Sequence, residues 1–358
     1  MNHDKKVHTG DWMAPRIVGV AMTAHRKSPT TLAASAAVLL ALLASLVACG
    51  GSGRTGGSAA HDAGATTRPG DAAEPGGAPP VRLDRRIAAY AAGFSEHTGY
   101  QQPRRDDRRT MAEAVGLVLD GRRDAAAQRL NSIDYQLRVE VDAATHRPYA
   151  EISDRSTRNP APRGWGRVYI DLSVPVRWSV QVPHPVADRH TELLGARVLL
   201  NSPGGVLVIA GAHRRAGRDG AADVAHRRDT VFDAVCDELA ARGFPGIQVH
   251  GFADDSAPGY DVIASPGIGS AGRADGRALA NALTDDAFQV CRAWLRSCPL
   301  EGTENVQGRA AADRHIPFLH VEFANSVRTD NRRLDRAASA VQTLTREWTR
   351  HDPTTGRR

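Results

Sequence analysis

Between Trp178 and His250 the chain repeats one pattern, a short apolar run that stops abruptly at a histidine. The segments read WSVQVPH, VLVIAGAH and GIQVH, and they end at His184, His213 and His250. In α/β proteins the side chains at the carboxyl ends of buried strands converge on one crevice. The pattern therefore predicts an α/β domain whose chemistry is carried by these histidines and by the charged residues beside them.

The segments that precede this stretch fit the same class of fold. Helical spacing in RIAAYAAGF and in TMAEAVGLVLDGRRDAAAQRL predicts a helical lead-in over residues 84–131. Period-two alternation in QLRVEVDAATHRPYAEISD and GRVYIDLSVPVRWSVQV is typical of hairpins or of an antiparallel sheet edge. We therefore expect short helices and antiparallel strands before the first histidine.

Strands and helices alternate in the second half of the chain. The segments GIQV and IPFLHVEF have the composition of buried strands, and helical spacing predicts helices over residues 222–243, 277–298 and 331–350. Residues 251–272 and 301–315 are predicted to be loops. This alternation favours a mixed, mostly parallel central sheet flanked by helices.

The amino-terminal region is typical of export. A basic pair and then the apolar stretch TLAASAAVLLALLASLVA, over residues 31–48, precede Cys49. The sequence LVAC at its end resembles the lipobox of bacterial lipoproteins, in which the cysteine is lipidated and becomes the mature amino terminus. We expect residues 1–48 to be a lipoprotein signal peptide, with Cys49 lipidated and the protein anchored on the outer face of the cell membrane. A single membrane-spanning helix is the alternative, because the stretch is at the lower limit for crossing a bilayer.

The regions at the two ends of the expected domain do not have the composition of a packed core. Residues 49–83 are rich in Gly, Ala and Pro, which predicts a flexible tether. We expect one α/β domain over residues 84–350 and a disordered tail over 351–358. The net charge of +6 is spread through Arg-rich loops with few aromatic residues, and this distribution does not indicate a nucleic-acid partner.

The remaining cysteines do not form a metal-binding motif. Cys236, Cys291 and Cys298 show no CxxC spacing, which disfavours a thiolate zinc site. On the predicted helix Cys291 and Cys298 would lie about two turns apart, beyond bridging distance. A disulfide between them requires that the helix end before Ser297, and the sequence leaves this open.

Histidines and acidic residues supply the ligands of a metal. A catalytic zinc site needs three ligands from His, Asp or Glu and an open position for water. His184 and Asp188, on a loop just past a strand, and His250, at the end of another, provide this set, with Glu192 as an alternative to Asp188. Zinc lowers the pKa of its water, so a separate carboxylate has to move the proton. Glu322 is predicted to do this, because an acid at the end of a buried strand is costly without a function or a cation beside it.

The order of the motifs adds a family resemblance. The series consists of PHP at 183–185, AGAHR at 210–214, DVAHR at 223–227, VHGF at 249–252 and VEF at 321–323 followed by Arg328. It resembles the series in N-formylglutamate amidohydrolases and phage poly-γ-glutamate hydrolases, of the zinc carboxypeptidase-like superfamily. The resemblance implies a sheet-centred α/β fold with one Zn²⁺ ion, held by a histidine and an acid after one strand and a histidine after a later strand. It also implies that Glu322 is the general base and that Arg227 binds a substrate carboxylate.

The chain departs from the family pattern at three positions. The acid of the first motif usually lies three residues after the histidine, where this chain has Ala187, so that Asp188 substitutes for it. An Asn-Arg pair of carboxypeptidase-like sites is replaced by His226-Arg227, and a serine that is usual in the first family is replaced by Gly251. These departures predict a divergent branch whose substrate the sequence does not identify.

Together these features predict a surface-tethered zinc-dependent hydrolase that cleaves an amide bond next to a carboxylate. The substrate classes expected are N-acyl amino acids, γ-glutamyl compounds and cell-wall peptides. A metal-dependent esterase or deacetylase and a non-catalytic binding lipoprotein are the alternatives. Several cationic side chains near the expected site are candidates to bind substrate or to orient the ligands: Arg214, Arg227, Arg328, His213 and His226.

Overall fold

The computed structural model of the protein describes residues 79–157 and 162–350. The predicted signal peptide, the lipidation at Cys49, nearly all of the tether and the tail lie outside these residues. Within the described ranges no helix is both long enough and apolar enough to cross a membrane.

The first part of the described chain contains three helices: α1 (Leu83–Ala92), α2 (Arg105–Leu119) and α3 (Arg123–Asn131). The break between α2 and α3 falls at Gly121, which has a φ of 73°. Glycine adopts this left-handed conformation without a steric cost, so the chain turns here although the helical spacing continues. The predicted helical segment TMAEAVGLVLDGRRDAAAQRL is therefore two separate helices, one on either side of Gly121.

Nine strands form one sheet within the described residues. They are β1 (Tyr135–Val141), β2 (Pro148–Asp154), β3 (Arg167–Asp171), β4 (Trp178–Val182), β5 (Gly205–Ile209), β6 (Gly246–Phe252), β7 (Val262–Ser265), β8 (Val290–Arg292) and β9 (Phe318–Ala324). Their order is β1-β2-β3-β5-β4-β6-β9-β7-β8. The four central strands β5, β4, β6 and β9 are parallel, whereas β1, β2, β3 and β7 pair antiparallel. The predicted mixed sheet with a parallel centre is confirmed.

The remaining helices cover the two faces of the sheet: α4 (Thr191–Asn201), α5 (Val231–Ala241), α6 (Arg273–Asp285), α7 (Val306–Asp313), α8 (Asn325–Thr329) and α9 (Asn331–Arg350). Strand β5 shows how the core is divided. Leu207 and Ile209 belong to the core beneath α4 and α9, and Val206 and Val208 to the core beneath α2 and α5. Each buried aliphatic side chain of this kind stabilises the fold by about 1.5–3 kcal/mol.

On strands β4, β6 and β9 one face is apolar and the opposite face carries polar residues. On β6, Ile247 and Val249 join the core beneath α4 and α9. The alternate residues Gln248 and His250 point to the other face, because successive side chains of a strand alternate. Both of these polar residues are buried. A row of buried polar side chains thus crosses the centre of the sheet.

Three elements, α5, β7 and α7, differ from the sequence prediction. Helix α5 begins at Val231, because the hydroxyl of Thr230 caps it by accepting a hydrogen bond of 3.1 Å from the amide of Asp233. Strand β7 lies within the predicted loop 251–272, and α7 lies within the predicted loop 301–315. Neither element is apparent from the sequence, because a four-residue strand and an eight-residue helix are too short for their periodicity to be recognised.

The predicted helix over 277–298 is wrong in its second half. Helix α6 ends at Asp285, Ala287 has a φ of 63°, and the chain continues as the edge strand β8. Cys291 on β8 and Cys298 form a disulfide with a Cα–Cα distance of 6.1 Å. The edge pairing of β8 with β7 is a long-range contact, which the helical spacing of this segment could not reveal.

Candidate metal centre and active site

Two neighbouring strands bring the predicted ligands together. Strand β4 ends at Val182, and His184 follows it after one residue. The chain then turns back, since the amide of Asp188 donates a hydrogen bond of 2.8 Å to the carbonyl of His184. The parallel neighbour β6 carries His250. The local turn and the parallel register therefore place all three side chains at the same edge of the sheet.

The three side chains form the arrangement expected of metal ligands. Oδ2 of Asp188 lies 3.2 Å from Nδ1 of His184 and 3.3 Å from Nδ1 of His250. Among the described residues this is the group of three or more possible ligands whose donor atoms lie within 4.8 Å of one another. Bonds of 2.0–2.2 Å to a tetrahedral ion place neighbouring donor atoms about 3.3 Å apart. Both observed distances fit the separation of two ligand atoms of one such ion.

The far nitrogen of each imidazole faces an acceptor. Nε2 of His184 lies 2.8 Å from Oδ1 of Asp223, and Nε2 of His250 lies 2.9 Å from Oε1 of Gln248. Because a carboxylate and an amide oxygen only accept, each Nε2 carries the proton of a neutral ring. Both Nδ1 lone pairs then point at the carboxylate of Asp188. Three buried electron-rich atoms facing one another require a cation between them, so the residues present fit a metal ion.

The surroundings prepare these groups for metal binding at neutral pH. Burial, and then the nearby His320, lower the pKa of His250 to about 4, so the ring is neutral. Burial raises the pKa of Asp188, but the contacts of its carboxylate with His184 and His250 outweigh burial and hold this pKa well below its usual range. Burial lowers the pKa of His184, but its contacts with Asp188 and Asp223 outweigh burial and raise it. A proton therefore competes with a metal ion mainly at His184.

Glu322 lies beside the metal ligands on the next strand. In the parallel pair β6 and β9 it is the register partner of His250, so both side chains point to the same face. Its carboxylate is buried, and Oε1 lies 3.3 Å from Nε2 of His320. The alternative ligand Glu192 lies in the first turn of α4, outside the group formed by His184, Asp188 and His250.

Two of the predicted substrate-binding residues border the site. Arg214 lies 2.6 Å from Oδ2 of Asp223, and Nδ1 of His226 lies 3.1 Å from Oδ1 of the same carboxylate. Their side chains are 36% and 42% exposed, whereas His184 is buried. Asp223 thus joins a buried ligand to two exposed groups. Burial raises the pKa of Asp223, but its three partners lower it. The net result is a pKa well below the usual range of an aspartate.

The other predicted substrate-binding residues have partners of their own. Arg227 forms an ion pair of 2.8 Å with Asp229. His213 accepts a hydrogen bond of 3.2 Å from the amide of Arg215, and burial lowers its pKa. The structure does not place either residue among the contacts of the three ligands.

Arg328 is buried and its guanidinium group is engaged by the backbone. It donates hydrogen bonds to the carbonyl groups of Phe252, Phe323 and Arg189. These carbonyls follow His250, Glu322 and Asp188 along the chain, so Arg328 joins the three segments that build the site. A Cβ atom at Gly251 would overlap the guanidinium group, which explains why a glycine follows His250.

Four residues of the site were not predicted as site residues: Asp223, Gln248, Asn305 and His320. Two of them carried a signal, because Gln248 and His320 lie two residues before His250 and Glu322 on predicted strands and so share their faces. Asp223 lay within a recognised motif, DVAHR. Asn305 comes from a segment predicted to be a loop, where no periodicity indicates the direction of a side chain.

Comparisons with known proteins give similarity in structure alone. No protein-family model matches the chain, and no curated protein matches it in sequence. The chain is similar to N-formylglutamate amidohydrolase from Ralstonia eutropha, with 12% identity and a TM-score of 0.35 over 48% of this chain and 92% of that one. It is also similar to succinylglutamate desuccinylase from Chromobacterium violaceum, with 12% identity and a TM-score of 0.35 over 61% and 75% of the two chains.

A third similar structure is an ectoine utilization protein from Ruegeria pomeroyi, with 10% identity and a TM-score of 0.38 over 60% of this chain and 71% of that one. The structures therefore include the family whose motif order the sequence resembles. Because the identities and TM-scores are low, the function of this chain has to be inferred from its own side chains.

Proposed function

We propose that this protein is a zinc-dependent hydrolase that cleaves an amide bond next to a carboxylate. The observation that carries the proposal is the position of Asp188 Oδ2 between Nδ1 of His184 and Nδ1 of His250. Two histidines and one carboxylate are a donor set that zinc takes in hydrolytic enzymes, where its fourth position stays open. Zinc bound here would polarise a substrate carbonyl and lower the pKa of a water molecule.

Glu322 is the proposed general base. As the register partner of His250 it lies next to the ligands, and it is not one of the three residues of the metal group. A carboxylate at this place accepts a proton from the attacking water and passes it to the leaving nitrogen. The buried surroundings exclude bulk water from this transfer.

Arg214 is the proposed partner of the substrate carboxylate. It lies at the exposed border of the site, and its ion pair with Asp223 leaves the side chain 36% exposed. Guanidinium groups bind carboxylates through two parallel hydrogen bonds. Arg227 is the second candidate. Its ion pair with Asp229 is exposed, so replacing Asp229 by a substrate carboxylate costs little free energy. N-acyl amino acids and γ-glutamyl compounds have the required carboxylate beside an amide.

The test measures zinc and turnover on the same preparation. The substrates are N-formyl-, N-acetyl- and N-succinyl-L-glutamate, a γ-glutamyl dipeptide, and the corresponding esters. We expect amide hydrolysis that a chelator abolishes and added Zn²⁺ restores. The Glu322→Gln variant should keep its zinc and lose about 10²–10⁴-fold in turnover, because Gln cannot accept the proton.

Glu304→Gln serves as the matched control, since Glu304 is exposed. Loss of zinc in Glu322→Gln would make Glu322 a ligand instead of the base. Turnover of the esters alone would assign the protein to the esterases, and zinc binding without turnover of any substrate would favour a binding protein. The lipid anchor at Cys49, and with it action at the outer face of the membrane, is proposed from the sequence and is tested by labelling the exported protein with a fatty acid.

A further inference from the structure

We propose that His320 is a positioning residue that holds the carboxylate of Glu322 for proton transfer. The inference rests on the proposed role of Glu322 as the base. His320 lies two residues before Glu322 on β9, so both side chains share one face of the strand. Nε2 of His320 lies 3.3 Å from Oε1 of Glu322.

Donors and acceptors in the hydrogen-bonded chain beneath the site can be assigned starting from a backbone carbonyl. The side-chain amide nitrogen of Gln307 donates to the carbonyl of Val224 at 2.9 Å, and a carbonyl can only accept. The oxygen of Gln307 therefore faces Gln248, whose amide nitrogen donates to it at 3.1 Å. The same nitrogen donates to Gln181 at 3.1 Å. Both hydrogens of the Gln248 side-chain amide are thus used, and its side-chain oxygen can only accept hydrogen bonds.

Two groups donate to this oxygen. One is Nε2 of His250, which leaves Nδ1 of that ring as a metal ligand, and the other is the amide nitrogen of Asn305. The Asn305 side-chain nitrogen also lies 3.2 Å from Nε2 of His250 and 3.2 Å from Nδ1 of His320. Because Nε2 of His250 carries a proton and cannot accept, the second hydrogen of the Asn305 amide goes to Nδ1 of His320. Because Nδ1 accepts, the N–H group of the His320 ring is at Nε2, on the side of Glu322. One continuous chain of side-chain amides thus determines which ring nitrogen carries the proton in His250 and in His320.

The His320 ring is held in place from both sides. It is buried, and its centroid lies 4.4 Å from that of His250. On another side lies Gly302, where a Cβ atom would overlap the ring. Among the described residues Nε2 of His320 has no aligned hydrogen-bond partner. A buried N–H group is costly to leave unpaired, and Glu322 Oε1 is the acceptor beside it. Hydrogen bonds between catalytic groups are often longer without substrate than in the substrate complex.

Two variants of His320 separate the positioning role from a structural one. His320→Leu removes the N–H donor but still fills the buried space with an apolar side chain, whereas His320→Gln retains an N–H donor. We expect His320→Leu to lower kcat about 10–100-fold, with KM and zinc content unchanged, and His320→Gln to recover most of the loss. Equal kcat values for the two variants would overturn the proposal. The matched control is His97→Leu, an exposed histidine.

A double variant tests whether His320 acts through Glu322. In the Glu322→Gln background, His320→Leu should change kcat by no more than about twofold, because the base on which it acts is already gone. A full 10–100-fold further loss would show that His320 acts independently. Unchanged turnover in Glu322→Gln alone would instead contradict the proposed function, so the two failures are distinguishable.

The protonation of the ring can be measured without a substrate. In protein labelled with ¹⁵N-histidine, with and without Zn²⁺, long-range ¹H–¹⁵N correlation distinguishes a protonated Nε2 from a protonated Nδ1. We expect His320 to carry its proton on Nε2, with its signal identified by its loss in His320→Gln. A proton on Nδ1 would overturn the proposal, even if the Leu variant failed to fold.

Discussion

His250 and Glu322 are register partners on the parallel strands β6 and β9. Gln248 and His320, two residues earlier, are the next pair of this register on the same face. A metal ligand and the proposed base therefore stand side by side, and each has its own hydrogen-bonding partner in the row beneath. The pairing of two strands thus fixes the relative positions of both functional groups.

The first prediction concerns the metal ligands. His184→Ala and His250→Ala should each abolish stoichiometric Zn²⁺ binding while the fold survives, because the cores on both sides of the sheet exclude these residues. Zinc content by mass spectrometry and circular dichroism check the two parts of the expectation. His97→Ala, an exposed histidine, should retain its zinc. Stoichiometric zinc in either variant would refute the ligand assignment, and unfolding of both would make the metal structural.

The ligands could be predicted from the sequence because each ends a recognisable apolar segment. His184 follows the run WSVQV, His250 ends GIQV, and parallel strands bring their ends to one edge of a sheet. Spacing alone leaves Asp188 and Glu192 as alternatives, because it does not show which carboxylate turns back towards the strand. The turn in which the amide of Asp188 donates to the carbonyl of His184 resolves this choice.

The second prediction concerns Gly302. Its φ of 64° strains any other residue by about 1–2 kcal/mol, and a Cβ atom would also overlap the ring of His320. Gly302→Ala should therefore lower both the free energy of unfolding and kcat. Gly259→Ala is a matched control, because Gly259 has a φ of 84° and no atoms within 4 Å of a Cβ atom. The control should share the backbone strain and keep full turnover; an equal loss of kcat in both variants would contradict a role for the Gly302 contact.

The part of the site that the sequence did not predict depends on long-range packing. Asn305 precedes α7, which packs against α5 and β9 and so directs its amide into the space between Gln248 and His320. Nothing in the segment EGTENVQGRAAADRH indicates this direction. The edge strand β8 was missed for the same reason, since its pairing with β7 and the disulfide at Cys291 outweigh the helical spacing around it.

The third prediction concerns the pH dependence of stability at Asp233. This carboxyl is buried at the far end of the amide chain, where it accepts a hydrogen bond of 2.9 Å from Gln307. Burial first, and then the charge of Asp237, raise its pKa to about 7, against the opposing effects of the Gln307 hydrogen bond and of the charges of Arg228 and Arg108. The folded protein therefore holds this proton more tightly than the unfolded chain does.

The sign of the effect follows from this raised pKa. The stabilisation is complete below the pKa of the unfolded carboxyl, near 3.8, and is lost as the pH rises through the folded pKa near 7. Asp233→Asn keeps an oxygen that accepts from Gln307 but cannot ionise, so its free energy of unfolding lacks this dependence. Relative to the wild type, the variant should gain stability between pH 4 and pH 8, by at most about 4 kcal/mol. Urea unfolding across this range measures the gain, with the exposed Asp313→Asn as the control; a difference independent of pH would show that Asp233 ionises normally.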